Sequence, residues 1–516
     1  MAIRTRMIGV ATVSLLLIIF SFNYLNVLEI TEYLPQSAHG LPPAKIPLDA
    51  EAGKTHDPPT SPPKGKPVED ETKGKPVEEE TKGKPAEDEH HTDLDRLLEQ
   101  FIQVPVQSYD EAVASSTAAC PVHGVNYDRN GVDGNTEKWR DIPSSQISEW
   151  RQGIVQYLQQ KQREHKSKKT STEDGGRGIV MAAGDHNAVI RAKTSINFLK
   201  SYNCTLPVEI FHFSSELSGT DKAFLKDLSQ IGDGEGAEGK GMKVTVRVVE
   251  GLEKGHGWKD FHIKGAAIQQ TSFSEILYLD TDSYLLRDPT YLFEGPQWNE
   301  TGLLLWPDYT KSHATNPIWR LLGQKCRNEY EGESGQILIS RTRHQDLLWL
   351  VEYFALHHEE YYGFMGGDRD SFRAAALLLG KKWAGPGRLN AAAGVALPND
   401  PKGGGHTMLQ ADPEGRWMFV HANLIKHGSF PKPLWAKIHR ATNDRFAQGT
   451  TYGSIEPPND GIGEGVKLHV FADPKLVTEM SVFEGFDQGL VTVDDWDSYE
   501  ELKGFEEKWF AFGGVH

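Results

Sequence analysis

From Arg177 onward the chain alternates between short runs that are apolar almost throughout and longer stretches that are apolar only every third or fourth position. Gly178–Ala183 (GIVMAA), Val208–Phe213, Met242–Val249 and Glu275–Leu279 are of the first kind. They have strand length and enough apolar residues to be covered on both faces. Ala188–Tyr202, with Ile190, Ile196 and Leu199 in helical spacing, Asp221–Ile231 and Asp260–Thr271 are of the second kind. Repeated β-α-β units of this sort predict an α/β protein built on a mostly parallel, Rossmann-like sheet with helices on both faces. Further on, Ile337–Ile339 and Trp417–Val420 read as strands and Ser371–Leu379 as a helix.

The first quarter of the chain has neither pattern. Arg4 and Arg6 precede Met7–Leu28, an uncharged apolar run long enough to cross a bilayer as a helix. No small-x-small cleavage pattern follows it, so a retained signal-anchor is expected at 7–28, with 1–6 cytosolic and the rest of the chain lumenal. Between Leu41 and Glu89 the chain is mostly Pro, Lys, Gly and Glu, with a tandem repeat beginning KGKP at Lys64, Lys73 and Lys82. Such a stretch buries too little to offset chain entropy and predicts a disordered stem over 29–115. A catalytic domain is then expected at 116–470, followed by an acidic C-terminal segment at 471–516.

The chemistry gathers at EILYLDTDSYLLRDP. The apolar strand ends on Asp280 and Asp282, at the sheet edge where ligands collect in open α/β folds. Carboxylates two apart on an extended segment point the same way and suit a hard divalent cation that also binds substrate phosphates. His421, after the strand Trp417–Val420, is the candidate third ligand, with His427 its rival. Gly184, Lys264, Asp280, Asp282 and Lys426 form a donor-binding set, Lys426 supplying a point charge for a diphosphate. Glu333, Ser334 and Gln336 lie in a polar turn before Ile337–Ile339, fitting hydroxyl-rich ligands. Asp368 and Asp370 in GGDRD precede a helix; as a cap and a first-turn acid they would be structural, whereas facing a sugar they would join Glu333 as catalytic candidates. Trp306 and Asp308 close another strand, Trp306 being either a sugar platform or a core residue.

The ordered set GIVMAAG, LPVEIF, KGAAI, LYLDTDS, LLRDP, LLLWPD, ESGQILIS, GGDRDSFR and FVHANLIKH, spanning Arg177 to His427, resembles the fungal Golgi α-mannosyltransferases of glycosyltransferase family 71. The resemblance implies a GT-A-type nucleotide-sugar transferase fold, GDP-mannose as donor, a mannose-containing glycan as acceptor, Mn²⁺ as cofactor, and metal and diphosphate binding by Asp280 and Asp282. It tips Asp368 and Asp370 toward function and implies a Golgi membrane location, with the N-terminal helix in the lipid bilayer.

Two other classes fit the aspartate pair. In an aspartyl-phosphate phosphotransferase Asp280 would be the nucleophile and Asp282 the acid, but that motif belongs on a first strand rather than about the fourth. A non-catalytic glycan-binding relative would not need intact metal aspartates. The formal charge of −17 argues against nucleic acid as a partner. Three cysteines, Cys120, Cys204 and Cys326, allow one internal disulfide at most, and Asn203 and Asn299 lie in glycosylation sequons.

Overall fold

The computed structural model describes residues 87–120, 138–167, 175–230, 242–254, 260–397, 400–447, 449–453, 461–468, 470 and 488–515. Contacts divide the chain into residues 1–85 and 86–516, and every described residue belongs to the second unit. The expected anchor and nearly all of the repeat region therefore lie outside the described residues. Among the described residues no helix is long and apolar enough to cross a membrane.

Fourteen strands follow in chain order among the described residues. They are β1 (Arg177–Ala182), β2 (Val208–His212), β3 (Val244–Val248), β4 (Glu275–Leu279), β5 (Ser283–Leu285), β6 (Leu303–Lys311), β7 (Tyr330–Ser340), β8 (Trp383–Ala384), β9 (Ala391–Leu397), β10 (Asp400–Ala411), β11 (Trp417–His421), β12 (Lys437–Ala441), β13 (Thr451–Tyr452) and β14 (Val491–Asp495). Eight make one sheet in the order β13-β8-β6-β7-β4-β1-β2-β3, and six make a second, β14-β12-β9-β10-β11-β5.

In the first sheet β3, β2, β1 and β4 are parallel, as the β-α-β pattern predicts. The other half departs from a mostly parallel sheet: β7 runs antiparallel to both β4 and β6, and β13 antiparallel to β8. The core explains why the strands are apolar at consecutive positions. Val180, Ile276, Tyr278, Ile337 and Ile339 face one cluster with the helices Ser144–Ser167, Ile263–Gln270 and Gln345–Leu356. Their neighbours Ile179, Met181, Leu277, Leu279 and Leu338 face another with His186–Ser201 and Gly219–Gln230. Side chains alternate along a strand, so a strand with helices on both faces must be apolar at every position.

The order β3-β2-β1-β4 places a switch point between β1 and β4, because the chain leaves β1 in one direction and returns on its other side. Ligand crevices in α/β sheets open at the carboxyl ends of strands at such a point. The chain then crosses between sheets. β4 ends at Leu279 in the first sheet and β5 starts at Ser283 as the edge of the second, paired with β11. Asp280, Thr281 and Asp282 are that crossing.

Both domain boundaries expected from composition move outward. The helix Glu87–Gln103 buries Leu94, Leu98 and Phe101 in the main core, inside what was read as stem. At the other end β14 pairs with β12, and the helix Phe505–Ala511 buries Phe505 and Trp509 beside Trp435 and Trp496. The acidic segment is thus partly integral, its few large apolar residues turned inward. A Cys120–Cys326 disulfide ties the N-terminal helices to the body, and Cys204 is a buried free thiol.

Candidate active site

Asp280, Asp282 and His421 converge, each offering one ligand atom, with these atoms all within 4.8 Å of one another. Register explains it. His421 lies opposite Ser283, so the last residue of β11 is brought beside the crossing that carries both aspartates. The aspartates sit on a turn, Ser283 N donating to Asp280 O at 3.0 Å, not on the extended segment expected from their spacing. His427, exposed at the end of the short helix Ile425–His427, lies outside this cluster.

The surroundings fix each of the three. Tyr278 donates its hydroxyl to Asp280 Oδ1 at 3.0 Å, and Lys264 Nζ lies 3.3 Å from the same carboxylate. Lys264 also reaches Asp368 Oδ2 at 2.7 Å and Ser334 Oγ at 2.8 Å. Burial disfavours the Lys264 charge, but Asp280 and Asp368 outweigh it and raise the ammonium pKa. Asp282 Oδ2 is 2.6 Å from Lys426 Nζ, and Asp282 Oδ1 is 3.5 Å from His421 Nε2. Although burial opposes ionisation of Asp282, Lys426 and then His421 hold its carboxyl well below the usual range. His421 Nδ1 is buried without a hydrogen-bond partner, 3.7 Å from Glu333 Oε1. Burial disfavours its charged form, but Glu333 and Asp282 raise its pKa. Burial likewise raises that of Glu333.

Two carboxylates and an imidazole are a donor set for a divalent transition metal, and a buried imidazole nitrogen turned toward a carboxylate is the usual support for a metal-ligating histidine. The residues fit a cation. Glu333 also accepts from Gly335 N at 2.6 Å, and it, Ser334 and Gln336 lie within β7. The pairing of β6 with β7 skips from Leu305↔Ile337 to Trp306↔Glu333, so the expected polar turn is a bulge in a continuous strand.

Most of the other candidate residues have partners within the fold. Lys264 is buried under carboxylates, neither solvated nor open to a donor phosphate. Asp370 is buried and held by Gly332 N at 2.6 Å and by both Arg373 Nε and Nη2, and neither it nor Asp368 caps a helix through its side chain. Trp306 is 1 % exposed and donates Nε1–H to Ala411 O, so it is a core tryptophan with no platform to offer. Gln336 is fully buried, paired opposite Leu279 and accepting from Ser283 Oγ at 3.2 Å. Asp308 pairs with Arg369. Gly184 follows β1, where a Cβ would come within 2.3 Å of the Glu216 carboxylate.

Two contributors were not foreseen. Tyr278 read only as strand core, and nothing in the pattern set its hydroxyl apart. Arg191, on the helix after β1, lowers the Asp282 pKa through its charge, and its Nε is buried without a hydrogen-bond partner; in the sequence it is one basic residue among several on a helix.

Fold and site together define a mixed α/β protein with a candidate cation site just past the carboxyl end of β4. A mannosyltransferase family model matches residues 176–331 and 322–412. The chain is 29 % identical over 264 residues to the alpha-1,2-mannosyltransferase MNN21 of Candida albicans, covering 40 % of this chain and 38 % of that one. It is 24 % identical over 262 residues to the alpha-1,2-mannosyltransferase MNN5 of Saccharomyces cerevisiae, covering 40 % and 43 %. By these matches the chain is similar to fungal mannosyltransferases over residues 176–412, and it spans about two fifths of the length of these curated relatives. Among solved structures it is similar to the WbbM bifunctional glycosyltransferase (11 % identity, TM-score 0.29, 40 % of this chain and 38 % of that one). A second is the galactosyltransferase LgtC in complex with donor and acceptor sugar analogs (17 %, TM-score 0.26, 38 % and 69 %). At such scores these likenesses carry no argument.

Proposed function

We propose that the chain is a retaining α-mannosyltransferase of GT-A type that moves mannose from GDP-mannose to a mannose-containing glycan with the help of a divalent cation, Mn²⁺ as the family resemblance implies. The observation that carries this reading is the convergence of Asp280, Asp282 and His421 just past the carboxyl end of β4. A cation there would neutralise charge developing on the departing diphosphate. Asp280, Asp282 and His421 would hold it, and Glu333 would orient the imidazole. Lys264, bridging Asp280, Asp368 and Ser334, fixes the position of Asp280 without touching substrate, while Lys426 and Arg191 place positive charge on the donor side. Among the described residues no unengaged carboxylate stands out beside this cluster as a nucleophile. We read the reaction as same-face displacement, the leaving phosphate oxygen taking the acceptor proton while the chain positions both reactants.

The same reading places the enzyme in the Golgi membrane as a single-pass protein with a lumenal catalytic domain. The basic start and apolar run at 7–28 support it, as do the Cys120–Cys326 disulfide and the exposed sequon asparagines Asn203 and Asn299. Against an aspartyl phosphate stand the motif's position on the fourth parallel strand and the mannosyltransferase relatives.

The test is a donor screen of the purified chain with Mn²⁺ and the common nucleotide sugars, read as transfer and hydrolysis. GDP-mannose alone should be turned over, and Asp280→Ala or Asp282→Ala should lower the rate by orders of magnitude with the fold intact. Folded variants that transferred mannose at the parent rate would sink both the metal site and the assignment.

A further inference from the structure

Beyond the metal cluster, an open pocket lies against the antiparallel half of the first sheet, lined by β6, the start of β7, β8, β13 and the segment around Glu464. Its lining includes Glu331 and Gly332, which lead directly into Glu333. With a strand rise of about 3.3 Å per residue, Glu331 is roughly 7 Å along β7 from Glu333, a distance on the order of one pyranose unit. The Gly332 N–H on that wall is held by Asp370, two residues from the Asp368 that Lys264 ties to Asp280. Pocket and metal site therefore share one continuous backbone.

The walls are of two kinds. Tyr452 stacks on Trp383 with ring centroids 5.9 Å apart and planes 13° from parallel, and Phe446 meets Tyr452 edge-on. Opposite chemistry comes from Lys311, whose Nζ lies 2.6 Å from Glu464 and 2.7 Å from Asn328, and from the half-exposed Glu464 carboxylate, which has lone pairs beyond that contact. Aromatic surface beside fixed donors and acceptors, lining an open pocket, suits the C–H face and hydroxyls of a sugar. It does not suit a nucleotide diphosphate. Glu329, Glu331 and Glu464 line it, and both of its cations, Lys311 and Arg373, are already paired with carboxylates.

We propose that this pocket is a second acceptor subsite, holding the pyranose next to the one that receives mannose. The proposal rests on the transferase reading above and adds to it a preference for an oligosaccharide acceptor over a monosaccharide.

The experiment compares methyl α-mannoside with α-mannotriose as acceptors for the intact chain and for Tyr452→Ala, Tyr452→Phe and Glu464→Gln, alongside calorimetric titration of α-mannotriose without donor. Tyr452→Ala and Glu464→Gln should raise KM for the trisaccharide at least tenfold, leaving its kcat and the KM values for methyl α-mannoside and GDP-mannose unchanged. Tyr452→Phe, which keeps the ring, should stay near the parent. In the titration the two damaging variants should lose the trisaccharide in the same proportion. Unchanged trisaccharide KM and binding in folded Tyr452→Ala and Glu464→Gln would overturn the subsite while leaving the transferase reading intact. A parent that transfers to neither acceptor would instead sink that reading, and the titration alone would then decide whether the pocket binds glycan.

Discussion

Gly335 has no room for a side chain. A Cβ there would lie 2.5 Å from the ring of His421 and 3.1 Å from Glu333 Oε1, and His421 cannot retreat, because its strand is buried on both sides. Gly335→Ala should therefore push the imidazole off the two aspartates, costing about 1–3 kcal/mol of stability as overpacking usually does, and weakening Mn²⁺ binding at least tenfold. Metal titration followed by calorimetry checks it; parent-like Mn²⁺ affinity in the folded variant would mean that His421 is not a ligand. His344 makes a different kind of prediction. Burial lowers its pKa from 6.5 to about 4, while one ring nitrogen meets Thr301 O at 2.7 Å. The unfolded chain takes a proton near 6.5 and the folded one only near 4, so this contribution is complete above pH 6.5 and is lost as pH falls toward 4. At pH 5 the loss is about 2 kcal/mol. His344→Gln should remove that part of the acid sensitivity, seen as a smaller difference between urea midpoints at pH 7 and pH 5. Equal differences in parent and variant would discard the assignment. The Asp280–Asp282 pair was legible because a strand ending in two carboxylates is a strong local signal. The fates of Asp370, Trp306 and Lys264 were not, since each depends on a partner far away in sequence.

At the scale of elements, β1 to β4 were readable because strands covered on both faces must be apolar at consecutive positions. The second sheet was hidden for the opposite reason. Its β9 reads AAAGVAL and β10 is rich in glycine, with little β propensity to mark them, and their burial comes from aromatic residues far along the chain. The segment after residue 488 looked solvated because its acids outnumber Trp496, Phe505 and Trp509, yet those three fill the core beside β12 and β5. Trp509 is fully buried, edge-on to Trp435 at 5.3 Å and to Tyr284 at 6.2 Å. Tyr284 belongs to β5, two residues after Asp282. Trp509→Ala should cost about 3–5 kcal/mol and also weaken cation binding, because the cavity loosens the strand that follows the metal turn. A thermal melt that did not move would contradict the packing, and a lower Tm with unchanged Mn²⁺ affinity would show that the second sheet holds the site without depending on this helix.

Across the described body, the crossing from β4 to β5 joins two sheets at the metal turn, so the site depends on the body staying whole. The N-terminal helices are held to it in two ways. Arg151 and Arg320 donate to backbone carbonyls of Val104 and Gln107, and Cys120 is bonded to Cys326, 206 residues later. A crosslink over so long a loop restricts the unfolded chain strongly, and removing such a native bond typically costs about 2–5 kcal/mol. The arginine contacts and the buried Leu94, Leu98 and Phe101 remain when it is cut, so Cys120→Ser and Cys326→Ser proteins should still fold, with a lower urea midpoint. Cys204 should not compensate. Burial pushes its thiol up to about 12, which keeps it protonated and unreactive at neutral pH. The oxidised native protein should therefore show no fast-reacting thiol toward a disulfide reagent, and one after denaturation, while each serine variant should gain a second. A fast-reacting thiol in the native protein would mean that the bridge is open or Cys204 exposed. Identical urea midpoints with and without the bridge would show that the arginines and the helix core alone fasten the N-terminal helices.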